Sequence, residues 1–287
     1  MSGRGILSLE GPRVSTLRPL PQLARAVRPL RPAGPAEPLS LSAVLPAYNE
    51  EACIVAAVRE LAAVLRALVD DFEIVVVDDG SRDATGRLLA ALSAREPALH
   101  LRVVTHQRNQ GYGAALASGF DAARKQLLFY TDADRQFDVR ELADFLADLD
   151  ESTDLVIGWR CPRVDPPLRT LNAWGWRLLV HALFGYTARD IDCAFKLFRR
   201  AVWERLTVRS RGAAFSAEFL IKARRAGFRV KERPVRHLPR TAGRATGARP
   251  AVIARALAEL LSLRRELGRA DAPAVPQASE RRRVHAG

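Results

Sequence analysis

Two carboxylates, one residue apart, follow a short apolar run near the middle of the chain. Residues 127–130 predict a buried strand, and Asp132 and Asp134 come directly after it. In open α/β sheets ligands collect at the carboxyl ends of strands, where this spacing could place two hard oxygen donors beside one divalent cation. Mg²⁺ or Mn²⁺ held in this way often binds a substrate diphosphate as well. Asp-x-Asp by itself is more often part of a solvated loop, so the rest of the chain must decide its meaning.

A second pair of carboxylates and a glycine-rich segment follow two other strand-like runs. Asp78 and Asp79 come after the β-branched run 73–77 and begin a turn that can face a ligand. The segment 107–119 follows the run 101–105. Its glycines allow close backbone approach, and the next helix presents its N-terminus to an anion.

The elements that must position these residues alternate between strand and helix. The first strand, 41–45, leads to a helix that Asn49 is expected to cap. This alternation predicts an α/β fold with a mostly parallel, Rossmann-like sheet and flanking helices, in a single domain over residues 38–267. The Pro- and Arg-rich residues 1–37 and the residues 268–287 are predicted to be disordered tails.

Residues 168–186 predict a helix that is apolar on more than one face. Trp174 and Trp176 lie about 200° apart on a helix. One face can pack on the domain, which leaves the other for a partner or for a membrane interface, where Trp and Tyr are favoured. A fully buried helix is the alternative. The segment is therefore a candidate membrane-interface helix.

Composition limits the class of protein. The chain has 287 residues, of which 48% are hydrophobic and 27% charged, as in globular proteins. No run of 18 or more apolar residues and no secretory signal is present, which predicts a cytoplasmic protein without a spanning helix. With the candidate interface helix 168–186, such a protein is expected to be peripheral at the inner face of the membrane. Its three cysteines form neither a disulfide framework nor a zinc motif. The net charge of +13 suits anionic lipid or phosphate, and because part of it lies in the tails we expect no nucleic-acid binding.

Five motifs stand in a fixed order, each at a predicted strand end or helix start. They are PAYNEE (46–51), VVDDGSRDAT (76–85), NQGYGAALASG (109–119), TDADRQF (131–137) and DIDCAFKLFRR (190–200). Together they resemble the family 2 glycosyltransferases of the GT-A fold, in particular the polyprenyl-phosphate sugar synthases of the dolichol-phosphate mannose synthase type. The resemblance covers about residues 40–240.

The resemblance implies a metal-dependent, inverting transfer of a hexose from a nucleotide sugar of the GDP-mannose or UDP-glucose type to a dolichyl or undecaprenyl phosphate. It implies Mg²⁺ or Mn²⁺ at Asp132, Asp134 and Gln136. Arg160 and Arg169 would receive the acceptor phosphate. The residues implied around the donor are Pro46, Ala47, Tyr48, Glu50, Asp78 or Asp79, Asn109, Gly111 and Ala133.

Several alternatives stay open. Many relatives carry Gln where this chain has Asp192, and the extra acid could alter acceptor choice or chemistry. Asp190 and Asp192 are candidates for positioning the acceptor or the sugar, and a salt-bridged structural role is the alternative for either. Some relatives also carry a C-terminal membrane-spanning pair, which we do not expect here. Transfer to a hydroxyl of a lipid or glycan and a non-catalytic nucleotide-binding scaffold are the competing functions. The sugar, the base and the oligomeric state stay undetermined.

Overall fold

The computed structural model describes residues 38–163, 167–239 and 250–270. The predicted tail 1–37 lies outside these residues, and so does the other predicted tail beyond residue 270. Residues 268–270 continue the last helix.

A seven-stranded sheet forms the centre of the described chain. The strands are β1 (Ser40–Ala47), β2 (Asp71–Asp78), β3 (Leu101–Thr105), β4 (Leu127–Thr131), β5 (Leu155–Arg160), β6 (Phe195–Arg199) and β7 (Val230–Val235). Their order in the sheet is β3-β2-β1-β4-β6-β5-β7. Neighbouring strands run parallel except at β6, which is antiparallel to both β4 and β5. The predicted mostly parallel α/β sheet is confirmed.

Helices connect the strands and cover the sheet. In the described ranges the α-helices are α1 (Ile54–Leu68), α2 (Thr85–Arg95), α3 (Tyr112–Ala122), α4 (Leu142–Asp148), α5 (Pro167–Phe184), α6 (Arg200–Arg205), α7 (Phe215–Arg225) and α8 (Pro250–Ala270).

The strand register brings the ends of β1, β2 and β4 and the start of β6 to the same end of the sheet. Ala47, the last residue of β1, pairs with Asp78, the last residue of β2, and β4 pairs with β1 on its other side. Thr131 at the end of β4 pairs with Phe195 at the start of β6. Since β6 is antiparallel to β4, the segment that precedes β6 lies beside the segment that follows β4.

Asn49 does not cap α1, contrary to the prediction. The chain turns at Asn49, with φ of 58°, and α1 begins only at Ile54. The Asn49 side-chain oxygen accepts a hydrogen bond from Arg82 N (2.8 Å), and its backbone N–H donates to Ser81 Oγ (3.0 Å). Asn tolerates the left-handed region, so this residue ties the loop after β1 to the turn after β2.

Helix α5 packs on the domain with one side only. Val180 is buried and Trp176 is half-buried against the core. On the opposite side Leu171, Trp174 and Leu178 are 59%, 53% and 54% exposed. The fully buried alternative is thereby excluded. None of the helices in the described residues is long and apolar enough to span a membrane.

Helix α3 lies very close to β1 and β2. A methyl group added at Gly119 would lie 2.3 Å from Val44 Cγ1 and 3.1 Å from Val77 Cγ2. Only glycine permits this separation, which brings the first turn of α3 up to the sheet edge.

We predict that Gly119→Ala destabilises the protein by about 1–3 kcal/mol, because the sheet must shift to admit the methyl group. Gly175→Ala is the matched control, since no atom lies within 4 Å of the added methyl on the exposed side of α5. Alanine there should stabilise the helix by about 0.5–1 kcal/mol. Urea unfolding measures both, and a Gly119→Ala variant as stable as wild type would contradict the close packing.

Candidate active site

Asp132 and Asp134 lie in the turn after β4, at the edge where the strand ends meet. Asp134 is buried, and its Oδ1 accepts a hydrogen bond from Gln136 N (3.1 Å). Arg135, which lies between Asp134 and Gln136, has a φ of 58°, a left-handed conformation that other contacts must stabilise. The Arg135 guanidinium does so by donating from Nε to Glu60 Oε2 on α1 (3.0 Å). The turn is therefore held in one shape from both ends.

The segment 236–238 lies against the same turn. Leu238 N donates to Gln136 O (2.7 Å), and Gln136 Nε2 donates to Leu238 O (3.2 Å). The amide oxygen of Gln136 is the atom of this side chain whose chemistry suits a cation. His237 is buried beside the ring of Phe137 (5.7 Å between centroids). A single histidine in an extended segment gave no sign in the sequence that it would lie beside the predicted metal cluster.

Tyr112, the first residue of α3, faces carboxylates from two other motifs. Burial, together with the negative charge of Asp132, raises the pKa of Tyr112 well above its usual value, and Asp192 acts in the same direction. The hydroxyl therefore stays protonated at neutral pH and can donate a hydrogen bond. In the sequence Tyr112 was only a member of the glycine-rich segment, because its distance from either aspartate is not visible there.

The carboxylates of Asp78 and Asp79 are buried and turned toward neighbouring backbone. Asp78 Oδ1 accepts from Ser81 N (2.9 Å). Asp79 accepts from Gln110 N at Oδ1 (2.8 Å) and from Gly111 N at Oδ2 (2.9 Å). Such charge-assisted bonds fix loop conformation. Both residues thus shape the loops around the predicted donor site, and direct contact with the donor stays a prediction.

Gly111 sits where no other residue fits well. Its φ is 108°, and an added methyl group would lie 2.6 Å from Arg211 O. The same carbonyl accepts a hydrogen bond from Ala114 N on α3 (3.0 Å). Arg211 lies in the loop before α7. Glu218, buried on α7, holds this loop by accepting a hydrogen bond from Ser210 N (2.7 Å). The glycine-rich segment is therefore enclosed between the sheet edge and the loop before α7.

The other residues predicted around the donor lie near the ends of β1, β3 and β4. They are Pro46 and Ala47 at the end of β1, Tyr48 and Glu50 in the following loop, the exposed Asn109 after β3 and the buried Ala133 between the two aspartates. The strand register places the ends of β1 and β4 next to each other.

Arg160, the last residue of β5, forms a buried ion pair with Asp190. Its Nε donates to Asp190 Oδ2 (2.6 Å) and its second nitrogen to Oδ1 (2.7 Å). Burial opposes ionisation of Asp190, but the hydrogen bonds and charge of Arg160 outweigh it and lower the pKa of Asp190. Of the two roles left open for Asp190, the geometry matches the salt-bridged one. Phosphate binding by Arg160 stays a prediction, and the side chain of Arg169 lies outside the described residues.

Asp192 is exposed to solvent, whereas Asp190 is buried. Desolvation by the surrounding protein, together with the negative charge of Asp190, raises the pKa of Asp192 to about 6. The loop that carries it is fastened from below by Lys196. This fully buried lysine donates to the carbonyls of Ile191 (3.2 Å) and Cys193, and its ammonium lies 5.2 Å from the ring centroid of Tyr130.

The side-chain oxygens of the turn after β4 suit a hard divalent cation. Within the described ranges, no three His, Cys, Asp or Glu side chains are grouped so that they could hold a metal ion. Mg²⁺ is usually bound by only one or two carboxylates, with substrate phosphates and water completing its shell. Asp132, Asp134 and Gln136 offer carboxylate and amide oxygens within five residues of one turn. They therefore suit Mg²⁺ or Mn²⁺ rather than a softer metal.

Solved structures of glucosyl-3-phosphoglycerate synthase from Mycobacterium tuberculosis share this fold. The complex with Mn²⁺, UDP-glucose and phosphoglyceric acid is 23% identical with a TM-score of 0.61, over 79% of this chain and 80% of that one. The complex with Mg²⁺ and UDP is 20% identical with a TM-score of 0.60, over 78% and 79%. The predicted GT-A fold is confirmed by this likeness.

Curated relatives are similar over part of their length. Dodecaprenyl-phosphate galacturonate synthase from Rhizobium johnstonii is 35% identical over 166 residues, which are 57% of this chain and 49% of that protein. Undecaprenyl-phosphate 4-deoxy-4-formamido-L-arabinose transferase from Pseudomonas paraeruginosa is 34% identical over 164 residues, 57% and 48% respectively. Glycosyltransferase AglD from Haloferax volcanii is 34% identical over 206 residues, 69% and 33%. The chain spans about half or less of the length of these relatives.

The family model for glycosyl transferase family 2 matches residues 42–207, more than half of the chain. This range contains all five motifs and the turn after β4, whereas the loop before α7 and the segment 236–238 lie beyond it. The protein belongs to glycosyl transferase family 2.

Proposed function

We propose that this protein transfers a sugar from a nucleoside diphosphate sugar to a polyprenyl phosphate. The observation that carries the proposal is that β4 and β6 pair so that the motifs of Asp132 and Asp192 lie at the same end of the sheet, where Tyr112 of a third motif hydrogen-bonds Asp132 and is affected by the charge of Asp192. The relatives named for dodecaprenyl and undecaprenyl phosphate support this class of acceptor. A donor of the GDP-mannose or UDP-glucose type follows from the motif resemblance.

The donor would lie across the carboxyl ends of β1, β2 and β4. The N-terminus of α3, brought close by Gly119, offers the positive end of the helix dipole to a diphosphate. Tyr48 and Glu50 would line the nucleoside pocket beside the loop that Asp79 holds at Gly111.

Asp132, Asp134 and Gln136 would hold Mg²⁺ or Mn²⁺. A bound cation would neutralise charge on the diphosphate as it leaves. The chain's own contribution is a turn already fixed by Arg135 and Glu60, so that the carboxylates need little rearrangement on binding.

A polyprenyl phosphate needs no general base from the protein. Its oxygen is already ionised near neutral pH, so it can attack the anomeric carbon without giving up a proton, and the nucleoside diphosphate departs. Two arginines supply positive charge beside the loop that carries Asp190 and Asp192. Arg160 is oriented by Asp190, and the guanidinium of Arg163 lies 3.8 Å from the same carboxylate. Asp192 would position a hydroxyl of the sugar.

Two exposed apolar stripes would bring the site to its lipid substrate. We call them together the α5–α8 surface. Its exposed members are Leu171, Trp174 and Leu178 on α5, and Ile253, Leu257 and Leu261 on α8, which are 41%, 38% and 52% exposed. The helices touch, with the Arg264 guanidinium 6.0 Å from the ring centroid of Phe184. Apolar residues flanked by arginine suit peripheral binding to the anionic inner face of a membrane.

We predict that the protein transfers sugar to a polyprenyl phosphate but not to the corresponding polyprenol, because only the phosphate is ionised. Asp134→Asn should lower transfer at least about 100-fold by removing a charged oxygen ligand while keeping its shape. Radiolabelled nucleotide sugars with Mg²⁺ or Mn²⁺, with and without EDTA, provide the assay.

The matched control is Asp144→Asn, an exposed carboxylate on α4. It should leave transfer unchanged. Near-normal turnover in Asp134→Asn would contradict the metal assignment, and equal use of polyprenol would move the proposal to a hydroxyl acceptor.

We predict that Asp192→Asn stabilises the fold at pH about 8 but hardly at pH about 4. The pKa of Asp192 is about 6 in the folded protein, above the usual value of about 3.9 in an unfolded chain. Its contribution to stability is therefore present below pH about 4 and is lost as the pH rises through about 6, and an amide does not titrate. Thermal melts at both pH values measure the difference, and equal shifts at the two would rule out a raised pKa.

We predict that Trp174→Glu with Leu178→Glu weakens binding to anionic vesicles at least about 10-fold, because two charges replace apolar groups that would enter the interface. Trp174→Phe with Leu178→Met keeps the face apolar and should bind like wild type. Vesicle co-sedimentation at low and high salt measures this. Binding that ignores both the glutamates and the salt would show that this surface does not contact lipid.

A further inference from the structure

His106 joins two parts of the site that the motifs do not connect. It follows β3, and its ring is buried between β2 and α3. Nδ1 lies 2.6 Å from Asp79 Oδ1, and Nε2 lies 2.9 Å from Ser118 Oγ on α3. The three side chains form a continuous chain of hydrogen bonds from the end of β2 to the body of α3.

The chemistry of the groups decides where the protons lie. The ionised carboxylate of Asp79 only accepts hydrogen bonds, so Nδ1 must carry a proton. In a neutral imidazole Nε2 is then the acceptor, and the Ser118 hydroxyl donates to it. Each member thereby fixes the orientation of the next, with Ser118 setting the ring and the ring setting the carboxylate.

The Asp79 carboxylate is also the support of the glycine-rich segment. Its two oxygens accept the backbone N–H groups of Gln110 and Gly111, and residues 107–109 before them are exposed. Gly111 is held at φ of 108° against Arg211 O. Because each oxygen of the carboxylate accepts one of these N–H groups, rotation of the carboxylate would lengthen and bend both bonds.

We propose that His106 is a positioning residue for sugar transfer, which through Asp79 holds the segment 109–111 in the conformation that binds the donor diphosphate. The proposal rests on the proposed function, because it assigns a purpose to the donor side of that site. His106 does not itself touch the donor. Its effect appears in donor binding and not in the chemical step.

Two substitutions separate the two bonds of the ring. The amide nitrogen of His106→Asn falls near the place of Nδ1 and can still donate to Asp79, whereas the amide nitrogen of His106→Gln falls near the place of Nε2 and keeps only the contact with Ser118. We expect His106→Gln to raise the KM for the nucleotide sugar about 10-fold with kcat within about two-fold, as for loss of one hydrogen bond to a charged group. His106→Asn should stay within about three-fold of wild type in both.

A role in the fold alone would lower the melting temperature of both variants and would not separate their KM values. Equal KM in the two variants, or a fall in kcat without a change in KM, would overturn the proposal.

Amide hydrogen exchange provides a readout that does not depend on activity. His106→Gln should speed exchange at Gln110 and Gly111 about 10-fold, and His106→Asn should not. Unchanged exchange in His106→Gln would overturn the role of His106. If exchange responds as expected but wild type binds no nucleotide sugar with Mg²⁺ or Mn²⁺, then the proposed function fails instead, and with it the purpose assigned to the segment.

Discussion

The antiparallel pairing of β6 between β4 and β5 is the constraint on which the site depends. It sets Thr131 opposite Phe195, so the loop before β6 lies against the turn after β4. Without that reversal, Asp192 would be at the opposite edge of the sheet from Asp132. The loop is then fastened by Lys196, whose buried ammonium binds two of its carbonyls, and by the pairing of Asp190 with Arg160 at the end of β5. A buried charge is stable only with such partners, and the buried Lys196, Asp190 and Arg160 each have one.

The carboxylates at the sheet edge divide into two groups by what they face. Asp78 and Asp79 accept backbone N–H groups and set the shape of the loops that follow β2 and β3. Asp132 and Asp192 act on Tyr112 instead, since burial and then their negative charges raise the pKa of its hydroxyl. The first group makes rigid the surroundings that the second group needs, because a ligand-binding loop contributes most when its conformation is already fixed.

The glycines carry a comparable constraint in the backbone. Gly119 lets α3 approach the sheet, and Gly111 lets the segment before α3 pass beneath Arg211 O. Together they place the N-terminus of α3 at the same edge as the carboxylates. On the outside, α5 and α8 leave large apolar side chains in solvent, and these are the side chains that the proposed membrane contact would cover.

The sequence by itself determined the kind of sheet, the order of its strands along the chain and the acidic residues at their ends. The apolar run 127–130 lies in β4, whose residues are all buried, because apolar periodicity reports burial directly. It could not determine strand direction within the sheet, since a buried run such as Phe195–Leu197 reads the same in either direction. Nor could it show which carboxylates face backbone and which face the site, because the partners that decide this lie far away along the chain. Gln110 is 31 residues from Asp79, and Arg160 is 30 residues from Asp190. The partners of His106 and the exposed side of α5 were likewise decided by tertiary packing, since one histidine carries no pattern and a helix apolar on both faces does not say which one it buries.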